Sequence, residues 1–552
     1  MFSYSYENLV RIANTEQGKA WLNKVEEGYK ERFQGKPIYA LEYSQFKRFY
    51  IDGDRTSYQS QYFARRTRLA MLQVLALVKD EYLSDLEDIL SAICEEFTWV
   101  LPAHAFEDGV VAKYEMVDLF SAETAFYLAE TCYVYGDRLS EDIRNRVKVS
   151  IKLKLTDIFE NGHYYFEDTH SNWAGVCGAG VGLAYLYLFP DRFPLVKERI
   201  FTCMEHYLLG LSEDGYCEEG MNYWQYGFGF FVLFFDVYTQ LTGERPAILQ
   251  SKTVQNTLRY PENARLDKLV YLPYADGGST QFVCSPSEMY AIKNLFGDAF
   301  TIPPINDRVD GKPLYFRLLN GIDKFGGYEE KSREVGTVYY AEKEVFIRKE
   351  KAFSVTVKCG TNYELHNHND VGSFQIVSDG KRLIADLGAG EYTKDYFRNP
   401  EVRFGEEVFA CGSMSHSVPI VDGKYQRYAR PHQGKVLSQS EKEIVMDLAG
   451  AYEANAEGVL AKYRVDENGV YITYRNTQGK PACYRFVSEY EPKLQGGQVW
   501  IEGLQIVCKN ALAPTLTSRT YNGISGVLKK AYLVDYIVEA TDEEIKFEFL
   551  VK

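Results

Sequence analysis

Two of the eight histidines stand close together in the pentapeptide His366-Asn367-His368-Asn369-Asp370. Side chains of an extended segment alternate between its faces, so His366, His368 and Asp370 would project from the same face. Two imidazoles and a carboxylate on one face suit a metal site, a proton-transfer site, or both. A surface turn is the competing interpretation, because Asn and Asp tolerate turn conformations. The pentapeptide alone leaves both interpretations open.

A strand pair should follow the pentapeptide, because Asp379-Gly380 is a typical two-residue hairpin turn between apolar runs. That turn would pair Asp386 with Ser373 across the hairpin. His368 precedes the first strand, so it would have to curl back to approach Asp386.

The spacing of the apolar residues changes along the chain, which indicates two kinds of secondary structure. Up to about residue 300 the apolar residues recur at helical spacing, and after about residue 330 the spacing is two. The helical part predicts a solenoid or a closed toroid of helix pairs. The later part predicts a sandwich of antiparallel sheets. The clearest runs are 67–78, 82–90 and 122–132 for helices, and 336–340, 353–357, 470–474 and 545–549 for strands.

Composition excludes some functions. The 552 residues carry a net charge of −15, which argues against a nucleic-acid partner, because such a partner needs a basic surface. No apolar stretch approaches the roughly 20 residues of a membrane span. The amino terminus does not resemble a secretory signal, and the ten cysteines include no Cys-x-x-Cys pair. We therefore expect a cytoplasmic protein with reduced thiols and no membrane partner.

Four segments, in this order, resemble motifs of the heparinase II/III-like polysaccharide lyases. They are Thr169–Trp173, Asp214–Tyr226, His366–Gly388 and Ser415–Gly423. Each motif is weak alone, but four in one order are fairly specific. The resemblance implies a multidomain α+β chain, with an incomplete (α/α) toroid over residues 1–320 followed by an antiparallel β-sandwich over residues 321–552.

The resemblance also implies catalytic roles for Asn172, Tyr223 and His366. Asn172 matches the donor that stabilises the uronate carboxylate, and a helix cap is its structural alternative. Tyr223 matches the tyrosine that removes the C5 proton and protonates the departing oxygen. His366 matches a histidine that neutralises the uronate or acts as a base from the opposite face of the sugar ring. Trp173, Trp224 and Tyr226 are expected to contact substrate, and packing is the competing role for Trp224 and Tyr226.

The same resemblance assigns His368, Asp386 and His416 to a metal site in the β-domain. Two imidazoles and one carboxylate are a suitable set for zinc. We expect the metal to be structural, ordering the loop that presents His366. The competing interpretation for His416 is an ordinary buried core histidine.

The predicted function is β-elimination on an anionic, uronate-containing oligosaccharide of the glycosaminoglycan type. Uronate C5 epimerisation is the first alternative, since it begins with the same proton abstraction. A glycoside hydrolase is the second, and it would use two carboxylates among Glu218, Glu219 and Asp276. A sugar-binding protein without activity is the third. Whether the chain forms a homo-oligomer is left open.

Overall fold

The computed structural model describes residues 2–105, 116–277, 281–298, 300, 303–305, 314–325 and 334–552. Its internal contacts define two compact units. We call them the helical unit (Met1–Gly210, Trp224–Val254 and Val283–Glu330) and the sheet unit (Leu211–Tyr223, Gln255–Phe282 and Lys331–Lys552). The predicted boundary between residues 320 and 321 stays a prediction.

Helices carry most of the first half of the chain, and the three predicted helical runs overlap Thr56–Leu75, Leu83–Cys94 and Leu119–Tyr135. The other α-helices are Tyr6–Ala13, Glu16–Arg32, Tyr43–Phe46, Arg48–Ile51, Glu141–Ile151, Asp157–Asn161, Tyr165–Asp168, Asn172–Leu188, Phe193–Leu209, Met221–Thr242, Lys252–Thr257, Tyr260–Ala264, Pro286–Phe296, Tyr315–Phe325 and, within the sheet unit, the short helices Lys394–Arg398 and Pro400–Arg403.

Glycine allows close helix packing in the middle of the helical unit. Helices Leu119–Tyr135 and Asn172–Leu188 lie against each other. At Gly180 an added Cβ atom would stand only 2.8 Å from the backbone carbonyl of Ala122. Any larger side chain there would push the two helices apart, so the glycine fixes their spacing.

The sheet unit contains only antiparallel strand pairs among its described residues, as the period-two pattern predicted. One sheet has five strands in sequence order: Gly336–Tyr340, Val345–Lys349, Ser354–Lys358, Phe374–Ser378 and Lys381–Ile384. The eight-stranded sheet runs Lys493–Gln495, Gln498–Ile501, Leu504–Cys508, Glu544–Val551, Gly469–Asn476, Val459–Asp466, Glu443–Asp447 and Lys435–Gln439. The four-stranded sheet runs Pro514–Asn522, Leu528–Val538, Ala482–Ser488 and Pro419–Val421.

An aromatic core joins these sheets. Phe374 of the five-stranded sheet lies 5.2 Å from Phe549 of the eight-stranded sheet and 5.9 Å from Phe486 of the four-stranded sheet, measured between ring centroids. All three rings are buried. Apolar residues of all three sheets therefore face a shared interior, and the predicted class of helices followed by an antiparallel sandwich is confirmed.

All ten cysteines lie in the described part of the chain as free thiols, and eight of them are buried. They behave as small apolar side chains, as predicted. Within the described ranges, no helix is both long enough and apolar enough to cross a membrane.

Candidate active site and metal centre

The buried carboxylate of Asp276 is the centre of a polar cluster in the sheet unit. Its Oδ2 atom lies 2.6 Å from Nδ1 of His366 and accepts a hydrogen bond from the Tyr392 hydroxyl at 3.0 Å. Its Oδ1 atom lies 3.1 Å from Nε2 of His368 and accepts a hydrogen bond from the Tyr396 hydroxyl. Two histidines and two tyrosines thus converge on one carboxylate.

Asp276 is held in its charged form. Burial opposes ionisation, but hydrogen bonds from His366 and His368 outweigh burial and hold the pKa of this carboxyl well below its ordinary value. Arg403 acts in the same direction, since its Nη2 atom lies 3.4 Å from Oδ2 of Asp276. The same Nη2 atom donates to the carbonyl oxygen of Asn367 at 2.9 Å. Asp276 is therefore a pure hydrogen-bond acceptor.

Two glycines bring Asp276 next to the segment that carries Tyr223. Gly220 has φ +83°, and a Cβ atom on it would stand 2.8 Å from the Cα atom of Gly277. Ala275, just before Asp276, also has a positive φ of +59°, which is uncommon for a residue with a side chain. This close backbone contact holds the Asp276 turn beside the start of the Tyr223 helix.

Tyr223 contacts two members of the cluster. Its ring stacks on the imidazole of His366, with centroids 4.3 Å apart and planes 28° apart. Its hydroxyl lies 3.1 Å from that of Tyr392. Because Tyr392 donates its own proton to Asp276, its oxygen can accept the proton of Tyr223. Burial raises the pKa of the Tyr392 hydroxyl well above its ordinary value, so Tyr392 remains protonated.

The pentapeptide is a turn rather than an extended segment. His366 has φ +54°, in the left-handed region, so the segment is not extended there. The prediction that His366, His368 and Asp370 project from one face is therefore wrong. The turn is not a surface feature, however, because the side chain of His368 is fully buried. Asp370 does not join the histidines and instead accepts a hydrogen bond from the buried Lys358 at 2.8 Å. An unpaired buried ammonium would be costly, so Lys358 directs Asp370 away from the cluster.

Further ion pairs anchor this loop inside the sheet unit. Lys358 also lies 2.8 Å from Glu364, two residues before His366. The backbone N–H of Leu365 donates to Oε1 of Glu218 at 3.2 Å, and Lys343 contacts the other carboxylate oxygen. Glu218, one of the three carboxylates considered for hydrolysis, thus holds the histidine loop.

The three predicted metal ligands lie together and are buried. Nδ1 of His368 is 3.3 Å from Nε2 of His416, and Nε2 of His416 is 3.3 Å from Oδ2 of Asp386. That carboxylate oxygen is buried without a hydrogen-bond partner. Nδ1 of His416 lies 3.0 Å from the carbonyl oxygen of Gly412, so Nδ1 carries the proton and the lone pair of Nε2 points at His368.

This set fits a metal ion, because lone pairs of two imidazoles and an orphaned carboxylate oxygen converge on one point. Asp276, His368 and Cys411 form a second group of candidate ligand atoms. The oxygens of Asp276 already accept hydrogen bonds from several groups, so the first group is better suited to an ion.

Strand Ala482–Ser488 brings Asp386 and His416 together. The N–H of Ala385 donates to the carbonyl of Val487 at 2.9 Å, and the N–H of Val487 donates to the hydroxyl of Ser417 at 3.0 Å. One residue of this strand thus binds the neighbours of both ligands. A third segment therefore holds the two ligands together, although they lie far apart in the sequence.

The hairpin before Asp386 is partly as predicted. Asp379 and Gly380 form the turn, with φ +50° and +73°. The predicted pairing of Asp386 with Ser373 is wrong, because the register shifts by one residue near Ile376 and the chain leaves the hairpin after the strand ends.

No protein-family model matches the chain, and no curated protein matches its sequence. Solved structures do match its fold. A heparinase III is 12% identical, covering 98% of this chain and 86% of its own, with a TM-score of 0.62. A variant of the heparan sulfate lyase of Pedobacter heparinus is 10% identical, with coverages of 96% and 82% and a TM-score of 0.61. The chondroitin AC lyase of Streptomyces coelicolor A3, in complex with chondroitin sulphate, is 11% identical, with coverages of 99% and 82% and a TM-score of 0.58.

The chain has the heparinase-like polysaccharide lyase fold. This likeness spans nearly the whole chain and confirms the fold that the four motifs predicted.

In this lyase fold, Asn172 and Trp173 belong to the helical unit. The buried Asn172 is the first residue of its helix, and the cap is Ser171, whose hydroxyl accepts from the N–H of Trp173 at 3.4 Å. The alternative in which Asn172 caps the helix is therefore wrong. The half-buried Trp173 ring lies 4.9 Å from the ring of His104.

Trp224 and Tyr226 follow Tyr223 on the same helix. Trp224 is buried, with its ring 5.4 Å from that of Phe228. The hydroxyl of Tyr226 donates to Glu123. Both side chains have packing partners in the helical unit, and their contact with substrate stays a prediction.

Sequence reasoning did not assign Tyr392, Tyr396 or Arg403 to the site, and it considered Asp276 only for hydrolysis. The three lie in the long connection between Asp386 and His416, where no periodic pattern marks them. A cluster of Tyr and Arg directly after a metal ligand was the one available signal.

Proposed function

We propose that this protein is a lyase that cleaves uronate-containing oligosaccharides by β-elimination, leaving a 4,5-unsaturated uronate on one product. The observation that carries the proposal is the arrangement of Tyr223, which stacks on His366 and is linked through Tyr392 to a buried carboxylate. These are the groups that a proton transfer at a sugar carbon requires.

The reaction removes a proton of low acidity. A base takes the C5 proton, the electron pair of that bond forms the C4=C5 double bond, and the C4–O bond breaks. Negative charge develops on the uronate carboxylate, so a hydrogen-bond donor there lowers the barrier. An acid must also protonate the departing oxygen.

Tyr223 serves as base and then as acid in this proposal. As a phenolate it takes the C5 proton, and the resulting phenol returns a proton to the leaving oxygen. His366 supports the carboxylate side of the substrate, with its orientation fixed by the bond from Nδ1 to Asp276. The stacking of the two rings keeps the phenol and the imidazole adjacent.

Asn172 is proposed as the donor to the uronate carboxylate. Its side chain is buried at the start of a helix whose cap position is taken by Ser171, so capping does not explain the asparagine. The role itself rests on the resemblance to the lyases.

A divalent ion, zinc by preference, is proposed at His368, Asp386 and His416. When bound, it supplies a cross-link between three separate segments and no proton transfer. His368 follows His366 closely, so fixing His368 also restrains the histidine loop.

The proposed substrate is a short anionic glycan, which matches the chain's acidic balance better than a long polyanion would. Glycoside hydrolysis is less well supported, because Glu218 and Asp276 bind the histidine loop and Glu219 lies 3.7 Å from Nε2 of His366. Uronate epimerisation remains the alternative outcome of the test.

A panel of glucuronate-, iduronate- and mannuronate-containing oligosaccharides tests the proposal. Elimination yields ultraviolet-absorbing fragments whose masses sum to that of the substrate without added water. Epimerisation leaves the mass unchanged, and hydrolysis adds one water. The matched control is Tyr223→Phe, which lacks only the hydroxyl. A panel that gives water-added fragments would refute the proposal.

A further inference from the structure

One carboxylate binds both histidines of the loop, and it binds them through different ring nitrogens. Asp276 contacts Nδ1 of His366 at 2.6 Å and Nε2 of His368 at 3.1 Å. A carboxylate only accepts hydrogen bonds, so both of these nitrogens must carry protons. The opposite nitrogens are Nε2 of His366 and Nδ1 of His368.

These opposite nitrogens have different tasks. Nδ1 of His368 faces Nε2 of His416 and lies 3.9 Å from Oδ1 of Asp386, where an ion needs its lone pair. Nε2 of His366 lies on the side away from Asp276, 3.7 Å from Oε1 of Glu219, and in the proposed function this nitrogen faces the substrate.

We infer that Asp276 is a positioning residue that fixes the tautomers of His366 and His368 together and so couples the metal centre to the proton-transfer site. The task of His366 in this inference rests on the proposed function. The task of His368 rests on the metal-ligand geometry alone. Carboxylates that orient a metal-binding histidine also raise its basicity.

The two oxygens of Asp276 have different partners, so the effect of replacing one of them can be predicted. Oδ2 faces Arg403 as well as His366, whereas Oδ1 faces His368 and Tyr396. Arginine only donates hydrogen bonds. In Asp276→Asn, the amide oxygen must therefore take the place of Oδ2, which faces Arg403. The new amide NH₂ therefore faces His368.

That NH₂ needs an acceptor, which forces His368 to change tautomer. Nε2 would then present its lone pair to the amide, and Nδ1 would carry the proton towards Asp386 and His416. A protonated nitrogen cannot bind a metal. Asp276→Asn is thus expected to impair metal binding while keeping the contact to His366.

The test is zinc affinity of the metal-free full-length protein, measured by competition with a chromophoric chelator. Asp276→Asn should bind zinc about 10–100-fold more weakly than wild type. The matched control is Tyr396→Phe, which removes the other partner of Oδ1 but leaves the acceptor of His368, so its affinity should stay close to wild type. Circular dichroism checks that both variants fold.

A second measurement needs no variant of Asp276. Long-range ¹⁵N–¹H spectra of the histidine-labelled, zinc-loaded protein should show His368 as the Nε2–H tautomer, assigned by loss of its signals in His368→Gln. Wild-type zinc affinity in folded Asp276→Asn, an Nδ1–H tautomer at His368, or a wild-type protein that binds no zinc would each overturn the inference. None of these readouts uses a glycan, so an inactive result on the oligosaccharide panel would remove the proposed function and the task of His366, and would leave standing the role of Asp276 in fixing the His368 tautomer.

Discussion

The hydroxyl oxygens of Tyr223 and Tyr392 lie 3.1 Å apart, and Tyr392 donates its proton to Asp276. If Tyr223 loses its proton, the Tyr392 hydroxyl can turn from the carboxylate to the new phenolate. Tyr392 is then the donor that stabilises the base form of Tyr223.

Tyr392→Phe should therefore raise the pKa of the Tyr223 phenol, because the phenolate loses a charge-assisted hydrogen bond. A hydrogen bond to a charged group contributes about 1.5–3 kcal/mol. Activity that needs the phenolate is present above this pKa and lost below it, so the acidic limb of kcat/KM should move to higher pH. Site-specific 3-fluorotyrosine at position 223, followed by ¹⁹F chemical shift against pH, measures the same change without substrate.

Tyr396→Phe is the control for that experiment, since Tyr396 also donates to Asp276 but has no described contact with Tyr223. The acidic limb of kcat/KM for Tyr396→Phe should stay at the wild-type pH, even if the rate falls. Equal pH profiles for Tyr392→Phe and wild type would remove Tyr392 from this role.

Tyr223→Phe should abolish most turnover while KM and the melting temperature change little. The substitution deletes only the proton-carrying hydroxyl, and loss of a general acid–base group costs about 10²-fold or more in rate. Steady-state kinetics on the best substrate of the panel measures it. Near-normal turnover would exclude Tyr223 as the acid–base group.

Asn172→Ala and Ser171→Ala form a matched pair at the start of one helix. Ser171→Ala removes the cap and should lower stability by about 1 kcal/mol with little effect on kcat. Asn172→Ala should lower kcat more than it raises KM, because its contact strengthens as charge develops. If Asn172→Ala changes only the melting temperature, its role is structural.

The fold was predictable from the sequence, because local patterns encode it. The helix over Leu83–Cys94 and the strand over Glu544–Val551 follow from apolar spacing alone. The hairpin turn at Asp379-Gly380 follows from its residue types. A single bulge, which no pattern marks, then moved Asp386 out of its predicted register.

The centre of the site was not predictable in the same way. Asp276 reaches its partners because Gly220 and Gly277 touch and Ala275 adopts a positive φ. His416 reaches Asp386 because both of their segments bind Val487. These are contacts between distant segments, and no local period records them.

The metal centre gives the last prediction. Protein purified without a chelator or a histidine tag should carry about one equivalent of zinc, held by His368, Asp386 and His416. An ion that binds only the folded state stabilises it by about 2.7 kcal/mol at a hundredfold excess over Kd, so a chelator should lower the melting temperature by several degrees. His416→Ala should give that lower melting temperature without a chelator and should show no further fall when one is added.

His163→Ala is the control. This histidine of the helical unit has a side chain that is 64% exposed, so its replacement should leave the zinc content unchanged. Metal-free protein by elemental analysis, with a melting curve that added zinc does not move, would reduce His368 and His416 to ordinary hydrogen-bonded side chains.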